Sequence, residues 1–346
     1  MSGERSRRLC ILAEGHFDPE YAKTATGVIR YGKDPVVAII DSTRVGQDTG
    51  QIIGAGHGIP IVADIRTAAP LAPDTLLLGI APRGGQLPDA WRWQIMAAID
   101  MGWDIINGLH GFLRNDPEIR VAAERTGVLL WDVREPAPTH QAIAEGLSHR
   151  PGSTVVLMVG SDCSVGKMTV AIELDRQARQ RGWNSGWVAS GQTGIMISGA
   201  GVPLDRVIGD FMPGAIEREV VASAERHDYV FVEGQGSLIH PAYSPVTLAL
   251  VHGSQPDAMV LVHDPRRLKI RGYEHAIPSL TRLVRLYEEA AGWVKPARVV
   301  GISLNTFGLS EADARAKIAG ATQETSLPAT DVVRFGAEPL LDALVR

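Results

Sequence analysis

The sequence is poor in cysteine and has no long hydrophobic run, and each of these features excludes a class of protein. Its two cysteines, Cys10 and Cys163, cannot build a disulfide framework or a zinc site. Few cysteines and no disulfide framework indicate a reducing compartment. No stretch approaches the roughly 18 apolar residues that a membrane span needs, and the apolar run at residues 9–13 is too short for a secretory signal. We therefore expect a cytoplasmic protein that does not enter a membrane.

The chain also lacks an excess of positive charge. Its 34 Lys and Arg residues stand against 39 Asp and Glu residues, which gives a net charge of -5. A protein of this charge has no general attraction to polyanions, so we expect no nucleic-acid partner and no anionic membrane surface as partner. The charge does not exclude an anionic small ligand, because a local pocket decides that.

The length of 346 residues suits two domains, and the same pattern appears in both halves. Short apolar runs typical of buried strands alternate with amphipathic helical segments, which predicts α/β domains with doubly wound parallel sheets. In the first half the strands are predicted at residues 9–13, 36–40, 59–63, 75–80 and 128–131. In the second half they are predicted at residues 154–159, 186–189, 229–232, 258–262 and 299–303. A proline-containing turn at 149–152 separates the halves, so we predict domains at 1–147 and 148–346.

A glycine-bearing loop connects the first predicted strand of the second half to a helix. Its residues are Gly160, Ser161, Asp162, Cys163, Ser164, Val165, Gly166, Lys167, Met168 and Thr169. A strand, such a loop, a lysine and a helix N-terminus form the context of a P-loop, in which backbone amides and the helix dipole face phosphates. Lys167 would add a positive charge. The alternative is a glycine turn before a helix with an incidental lysine.

The loop departs from the usual P-loop pattern in two ways. Five residues rather than four separate Gly160 from Gly166, and Met168 stands where a Ser or Thr normally binds magnesium. Thr169, one position later, is the candidate replacement for that hydroxyl.

Two further strand ends carry polar groups. Glu233 follows the strand at 229–232 and precedes Gly234, and an acid at this point of a P-loop sheet can hold magnesium; a solvated glutamate is the alternative. Asn305 follows the strand at 299–303, and its amide can recognise the edge of a nucleobase or can simply form a turn.

These three motifs resemble those of dethiobiotin synthetase, whose loop has the same five-residue spacing. Over its whole length the chain resembles a bacterial and archaeal family of D-glutamate N-acetyltransferase-like proteins more closely, and that family's loop also has Met after Lys. The resembling segments are Ala-Lys-Thr-Ala at 22–25, Val-Ile-Arg-Tyr at 28–31, Val-Gly-Lys-Met-Thr at 165–169, Ala-Ser-Gly-Gln-Thr-Gly at 189–194, Gly-Asp-Phe at 209–211 and Val-Glu-Gly-Gln-Gly-Ser at 232–237.

The resemblance implies a fold and an activity. It implies a Rossmann-like N-terminal domain and a C-terminal P-loop domain like that of nucleoside triphosphatases. It also implies acetyl transfer from acetyl-CoA to the amine of an acidic amino acid such as D-glutamate. The loop with Lys167 would cradle the CoA phosphates, and Glu233 would act as the base. We also expect a homo-oligomer.

Two other functions remain open at this stage. An ATP- and magnesium-dependent ligase or kinase like dethiobiotin synthetase would use Thr169, Asp210 and Glu233 as metal ligands beside Lys167. A non-catalytic, nucleotide-regulated protein would offer its N-terminal half to a partner.

Several polar residues near predicted strand ends are further candidates. Ser190, Gln192 and Thr193 follow the second strand of the P-loop domain and suit a substrate carboxylate or phosphate, unless they form only a polar turn. Arg266 and Arg267 belong to a basic run that can bind a carboxylate or the extra phosphate of CoA, or can form a solvated face.

The remaining candidates have weaker support from the sequence. Asp210 is either a metal ligand or a helix cap. His240 and Tyr243 are either candidate acid–base groups or side chains that are merely satisfied within the protein or solvated. Cys163 suggests an acyl-cysteine, although no base stands next to it in sequence. Arg83 and His110 are candidates at the rim of the first domain.

Overall fold

The computed structural model describes residues 6–19, 21–80, 87–148 and 152–345. The chain forms two compact units, one made of Met1–Glu135 with Gln192–Ala200 and the other of Pro136–Gly191 with Gly201–Arg346. Each unit contains one six-stranded parallel sheet, which confirms the predicted α/β class with two doubly wound domains. Arg83 lies outside the described residues. Within the described residues, no helix is long and apolar enough to cross a membrane.

The first unit has the strand order β3-β2-β1-β4-β5-β6, which is the order of a classical Rossmann sheet. Its strands are β1 (Leu9–Leu12), β2 (Val36–Ile40), β3 (Ile61–Val62), β4 (Thr75–Leu78), β5 (Asp104–Asn107) and β6 (Leu130–Asp132). The helices that accompany them are α1 (Lys23–Tyr31), α2 (Thr49–Ile53), α3 (Ile65–Ala68), α4 (Asp89–Asp100) and α5 (Pro117–Thr126).

Asp41, the residue after β2, lies at the carboxyl edge of this first sheet. Its buried carboxylate accepts hydrogen bonds from the amides of Gly15 and Phe17 in the loop after β1. It also accepts hydrogen bonds from the amide and the hydroxyl of Thr43. In dinucleotide-binding Rossmann domains an acid in this region binds ribose hydroxyls. Here hydrogen-bond donors of the chain itself occupy both oxygens of the Asp41 carboxylate.

The second unit has the order β12-β11-β10-β7-β9-β8. Its strands are β7 (Thr154–Gly160), β8 (Ser185–Val188), β9 (Tyr229–Val232), β10 (Ala258–His263), β11 (Arg298–Leu304) and β12 (Ala329–Thr330). Its helices are α6 (Lys167–Gln180), α8 (Met212–Ala224), α9 (Ser244–Ser254), α10 (Leu280–Gly292), α11 (Glu311–Thr325) and α12 (Glu338–Leu344), whereas α7 (Gln192–Ser198) groups with the first unit. Because β7 lies between β9 and β10, the loop after it stands at the middle of the carboxyl edge.

The central strand of the second unit is buried on both faces. Val155, Leu157 and Val159 belong to one hydrophobic cluster, while Val156 and Met158 belong to another. This alternation follows from the two-residue period of a strand. A strand buried in this way holds its carboxyl end rigidly, and the loop that follows starts from a fixed point.

The segment that joins the two units belongs structurally to the second. The units divide between Glu135 and Pro136, whereas the sequence predicted limits at 147 and 148. The buried carboxylate of Glu217 on α8 accepts hydrogen bonds from the amides of Glu145 and Leu147, at 2.7 and 2.8 Å. These bonds attach residues before the predicted limit to the second unit.

Candidate functional site

The loop between β7 and α6 presents open backbone at the start of a helix. Ser164 is exposed and has a φ of 56°, and Gly166 has a φ of 114° with no atom within 4 Å of where a Cβ would stand. The N-cap residue of α6 is this same glycine, which has no side chain to cap the first amides of the helix. Uncapped amides and the positive end of the helix dipole attract anions. The loop therefore has the backbone geometry of an anion site.

Lys167 directs its ammonium group back over this loop. Its Nζ donates to the carbonyl oxygens of Asp162 and Gly236, at 2.7 and 2.8 Å, and the side chain is buried. Two glycines make room for it: a Cβ at Gly160 would lie 2.8 Å from Nζ, and one at Gly234 would lie 3.0 Å from the Cδ of Lys167. The positive charge is thus fixed between the loop and the exit of β9.

Asp162 holds the loop to the segment that follows β10. Its fully buried carboxylate accepts hydrogen bonds from the amide of Cys163, from the guanidinium of Arg267 at 2.9 Å and from the amide of Arg271 at 2.8 Å. Burial raises the pKa of this carboxyl, but these hydrogen bonds outweigh burial and leave the pKa below its ordinary value. Arg267 also donates to the carbonyl oxygen of Cys163, so it braces the loop from two sides.

Two further residues hold the start of the loop. The hydroxyl of Ser161 shares a 2.8 Å hydrogen bond with Nδ1 of His263, whose pKa is lowered by burial. The hydroxyl of Tyr287 donates to the carbonyl oxygen of Gly160 at 2.7 Å and accepts from the amide of Leu238 at 3.2 Å. Burial raises the pKa of Tyr287, which keeps its hydroxyl protonated.

Glu233 is buried at the carboxyl end of β9. Its Oε2 accepts hydrogen bonds from the amides of Ser190 and Gly191, at 3.0 and 3.3 Å. The Ser190 hydroxyl donates to the Glu233 carbonyl oxygen, and Gln235 donates to the Ser190 carbonyl oxygen. A solvated glutamate, the alternative drawn from the sequence, is therefore wrong. The carboxylate is held in one orientation at the edge where the P-loop also lies.

His240 lies against the loop as well, which the sequence did not indicate. Its Nε2 is 3.9 Å from Oδ1 of Asp162, and its ring stacks on Tyr243 and meets the edge of Tyr273. Nδ1 accepts hydrogen bonds from the amides of Ala242 and Tyr243, at 3.1 and 3.2 Å. Because Nδ1 is an acceptor, the ring proton sits on Nε2. Burial lowers the pKa of His240 and so favours the neutral ring.

Asp162, Cys163 and His240 bring potential metal-binding atoms within 4.8 Å of one another in the described part of the chain. Their chemistry does not fit a metal ion. Nε2 of His240 carries hydrogen rather than a lone pair, and the Asp162 carboxylate already accepts from Arg267. Burial and the Asp162 charge raise the pKa of the Cys163 thiol. The cluster therefore neither holds a cation nor activates the thiol.

Among the described residues, the other candidates named from the sequence have no contact that shows a role in ligand binding. The Thr193 hydroxyl bonds to that of Thr24 in the first unit, and Arg266 pairs with Asp264 at 2.9 Å. Asn305 accepts from the amide of Phe307, as a turn-forming Asn does. Gln192 begins α7, Met168 and Thr169 are half-buried in the first turn of α6, Asp210 is exposed on a short 3-10 turn, and His110 is half-buried after β5. Ligand contacts by these residues stay predictions.

Sequence reasoning missed the residues that brace the loop from a distance. Tyr287 occupies an apolar position on α10, and no motif surrounds it. His263 ends β10, and Val262 pairs in register with Gly160, so knowledge of the strand order would have placed His263 beside the loop. His240 was named, but its position against Asp162 depends on the path of the loop after β9.

The strand–loop–helix geometry with Lys167 over the loop makes the second unit a P-loop domain, and the strand order makes the first unit Rossmann-like. A family model described as "Domain of unknown function (DUF1611_C) P-loop domain" matches residues 142–341, and one described as "Domain of unknown function (DUF1611_N) Rossmann-like domain" matches residues 42–136. The chain belongs to the DUF1611 family.

Relatives extend over nearly the whole chain. A protein of Tritonibacter scottomollicae named D-glutamate N-acetyltransferase is 40% identical over 328 residues, which are 93% of this chain and 94% of that protein. A Pseudoalteromonas protein of the same name is 38% identical over 276 residues, which are 79% of this chain and 82% of that protein. The crystal structure of a DUF1611 family protein from Anabaena variabilis superposes with a TM-score of 0.94 at 40% identity, covering 98% of this chain and 99% of that one.

Proposed function

We propose that this protein is an N-acetyltransferase that moves the acetyl group of acetyl-CoA to the amine of an acidic amino acid such as D-glutamate. One observation carries the proposal. The chain is 40% identical, over 93% of its length, to a protein named D-glutamate N-acetyltransferase. Met168 accords with it, because acetyl transfer does not need the metal-binding hydroxyl that this residue replaces.

The P-loop is the proposed site for the CoA phosphates. Open backbone at Ser164 and Gly166 and the uncapped start of α6 offer amides to a pyrophosphate. The ammonium of Lys167 lies over the same loop and adds a positive charge. These donors fit a diphosphate and require no metal ion.

Glu233 is the proposed base. The acceptor enters as an ammonium ion, and its nitrogen must lose a proton before it attacks the thioester carbon. In the proposed step Glu233 takes that first proton, the free amine forms the new C–N bond, and the C–S bond breaks. The nitrogen then gives up a second proton, which the departing CoA thiolate takes up, so that the amide and the free thiol are formed. The amides of Ser190 and Gly191 hold the carboxylate in place for this task.

An ATP-dependent ligase or kinase is the second candidate. Thr169 favours it, because its side chain offers a hydroxyl in the first turn of α6, one position after Met168. In that case Thr169, Asp210 and Glu233 would hold magnesium. Asp210 is exposed on its 3-10 turn, whereas Glu233 is buried.

Two parallel incubations of the full-length protein distinguish the candidates. One contains acetyl-CoA and D-glutamate, and the other contains ATP, magnesium and D-glutamate; L-glutamate and D-aspartate replace the acceptor in matched samples. Release of free thiol together with N-acetylglutamate, without ATP, supports the proposal. Release of ADP without thiol overturns it in favour of the ligase. Binding of either nucleotide with no turnover overturns both.

A further inference from the structure

The ring of His240 is held in one orientation and one tautomer beside the P-loop. The side chain is only 2% exposed. Two backbone amides donate to its Nδ1, and Tyr243 stacks on one face with ring centroids 4.5 Å apart. Such a ring neither flips nor changes tautomer without losing both hydrogen bonds. The Nε2–H group therefore points in a fixed direction.

That Nε2–H group has no acceptor at bonding distance among the residues the structure describes. The carboxylate oxygen that it faces, Oδ1 of Asp162, is 3.9 Å away, which is beyond hydrogen-bond range. The side chain as a whole is nearly buried, so an acceptor for this donor comes from solvent or from a ligand. An unpartnered donor on an otherwise fully satisfied ring points to an acceptor that arrives with a ligand.

The surroundings of Nε2 indicate the chemistry of that acceptor. Nε2 lies 3.9 Å from Oδ1 of Asp162, and the His240 ring is close to the sulfur of Cys163, so it faces the phosphate loop itself. Arg267 pairs with the Asp162 carboxylate and compensates its charge. Burial lowers the pKa of His240 by more than the Asp162 charge raises it, so the ring is a neutral donor. A neutral N–H group beside amides and an ammonium group suits a phosphate oxygen.

We propose that Nε2–H of His240 donates a hydrogen bond to a phosphate oxygen of the polyphosphate group bound on the P-loop. The inference rests on the phosphate-binding part of the proposed function and does not depend on acetyl transfer. The diphosphate of CoA and the triphosphate of ATP share the required chemistry. His240 is thus a ligand-contacting residue outside the loop, supplied by the segment after β9.

Two substitutions at this position separate the roles of the two ring nitrogens. In His240→Asn the side-chain oxygen can still accept the Ala242 and Tyr243 amides, but the donor at Nε2 is lost. In His240→Gln the longer amide can place an N–H group where Nε2 stood. His252→Asn is the matched control, because Nε2 of His252 already bonds to the carbonyl oxygen of Ala290 at 2.9 Å.

Calorimetric titration of each full-length protein with CoA, ATP and inorganic pyrophosphate tests the inference. We expect His240→Asn to weaken each ligand that the wild type binds by about 10- to 100-fold, as loss of a hydrogen bond to a charged group does. His240→Gln should retain most of the affinity, and His252→Asn should equal the wild type. Equal affinity of His240→Asn and wild type for CoA, ATP and pyrophosphate overturns the inference, as does a wild type that binds none of them.

A second measurement does not depend on the folding of a variant. With selective ¹⁵N labelling of histidine in the wild type, the Nε2 resonance of His240 should show the Nε2–H tautomer and should move when pyrophosphate is added. A resonance that stays unchanged at saturation contradicts the contact. If the resonance moves but the protein releases no thiol from acetyl-CoA, the contact stands and the proposed acetyl transfer fails.

Discussion

The hydroxyl group of Tyr287 donates a hydrogen bond to the carbonyl oxygen of Gly160, 2.7 Å away. The two residues are far apart in sequence, and the bond ties α10 to the first residue of the P-loop. The same hydroxyl accepts from the amide of Leu238, in the segment that leads to His240. One buried phenol therefore fixes both the loop and the chain that runs beside it.

Removal of this hydroxyl should loosen both segments. We expect Tyr287→Phe to lower the free energy of unfolding by about 1–3 kcal/mol, because two buried backbone groups lose a partner. Urea unfolding measures this change, and calorimetry should show weaker CoA binding as well. Tyr229→Phe is the control, since Tyr229 stacks on Trp183 at the start of β9, away from the loop. Unchanged stability and affinity in Tyr287→Phe would show that the loop does not need this support.

The ammonium group of Lys167 should contribute to ligand affinity more than to the fold. We expect Lys167→Met to lower the affinity for CoA by about 100-fold or more, because the phosphates lose a charge-assisted hydrogen bond. Lys295→Met is a matched control: Lys295 also bonds to a backbone carbonyl oxygen, that of Gln255, and pairs with Asp257. Calorimetry gives the comparison. Wild-type affinity in Lys167→Met would remove the phosphate-binding role of the loop.

Glu233 should affect turnover rather than binding. In Glu233→Gln the amide oxygen can still accept from Ser190 and Gly191, but the group cannot take a proton. We expect kcat to fall by about 100- to 10,000-fold with a small change in KM. Glu217→Gln alters another buried carboxylate that accepts two amides, on α8, and should keep the wild-type kcat. Steady-state kinetics decide, and a Glu233→Gln variant with full turnover would exclude its role as the base.

Asp162 should make stability depend on pH at the acidic end. Its folded-state pKa is depressed, so its contribution is present above the unfolded-state pKa of about 3.9 and is lost as pH falls through the lower folded-state value. We expect Asp162→Asn to cost about 2–4 kcal/mol near neutral pH, where Arg267 loses its partner, and less below about pH 4. Urea unfolding at several pH values measures the difference. A difference that grows on acidification would contradict this account.

Cys163 should not act as a nucleophile. Burial and the neighbouring Asp162 raise the pKa of its thiol above the ordinary value of 9.0, so little thiolate exists at neutral pH. We expect Cys163→Ser to keep a rate close to that of the wild type, and iodoacetamide to react slowly until the pH exceeds that value. Cys10, whose pKa burial raises to about 12, serves as an internal unreactive reference. Loss of turnover in Cys163→Ser would contradict this prediction and support a covalent acyl-cysteine intermediate.

The elements of the second unit could be predicted because their signals are local. The predicted strand at 229–232 coincides with β9, and the helix after the loop begins at Lys167. The two-residue strand β12 was not predicted, because two residues are too few to show a periodic pattern. The strand order also remained open, because sequence shows where strands occur and not which ones pair. Thus the loop was recognised before its position at the middle of the sheet was known.

The side-chain contacts of the site could not be predicted, because they join distant parts of the chain. Arg266 and Arg267 are adjacent in one basic run, yet Arg266 pairs with Asp264 while Arg267 reaches Asp162. The difference depends on the backbone direction after Pro265, which composition does not encode. Likewise, Ser190 and Thr193 belong to one motif at 189–194, yet the Ser190 amide bonds to Glu233 while the Thr193 hydroxyl bonds to that of Thr24, and both contacts join residues far apart in sequence.

The attachment of residues 136–148 to α8 has a practical consequence for dissecting this protein. A fragment that began at residue 148 would take the amides of Glu145 and Leu147 away from the Glu217 carboxylate and would uncover the part of α8 on which residues 142–147 lie. Loss of two hydrogen bonds to a carboxylate and of the packing on α8 destabilises the second unit. Any shortened version meant to keep the phosphate loop should therefore start no later than Pro136, because a fragment cut at the turn at 149–152 would be less stable.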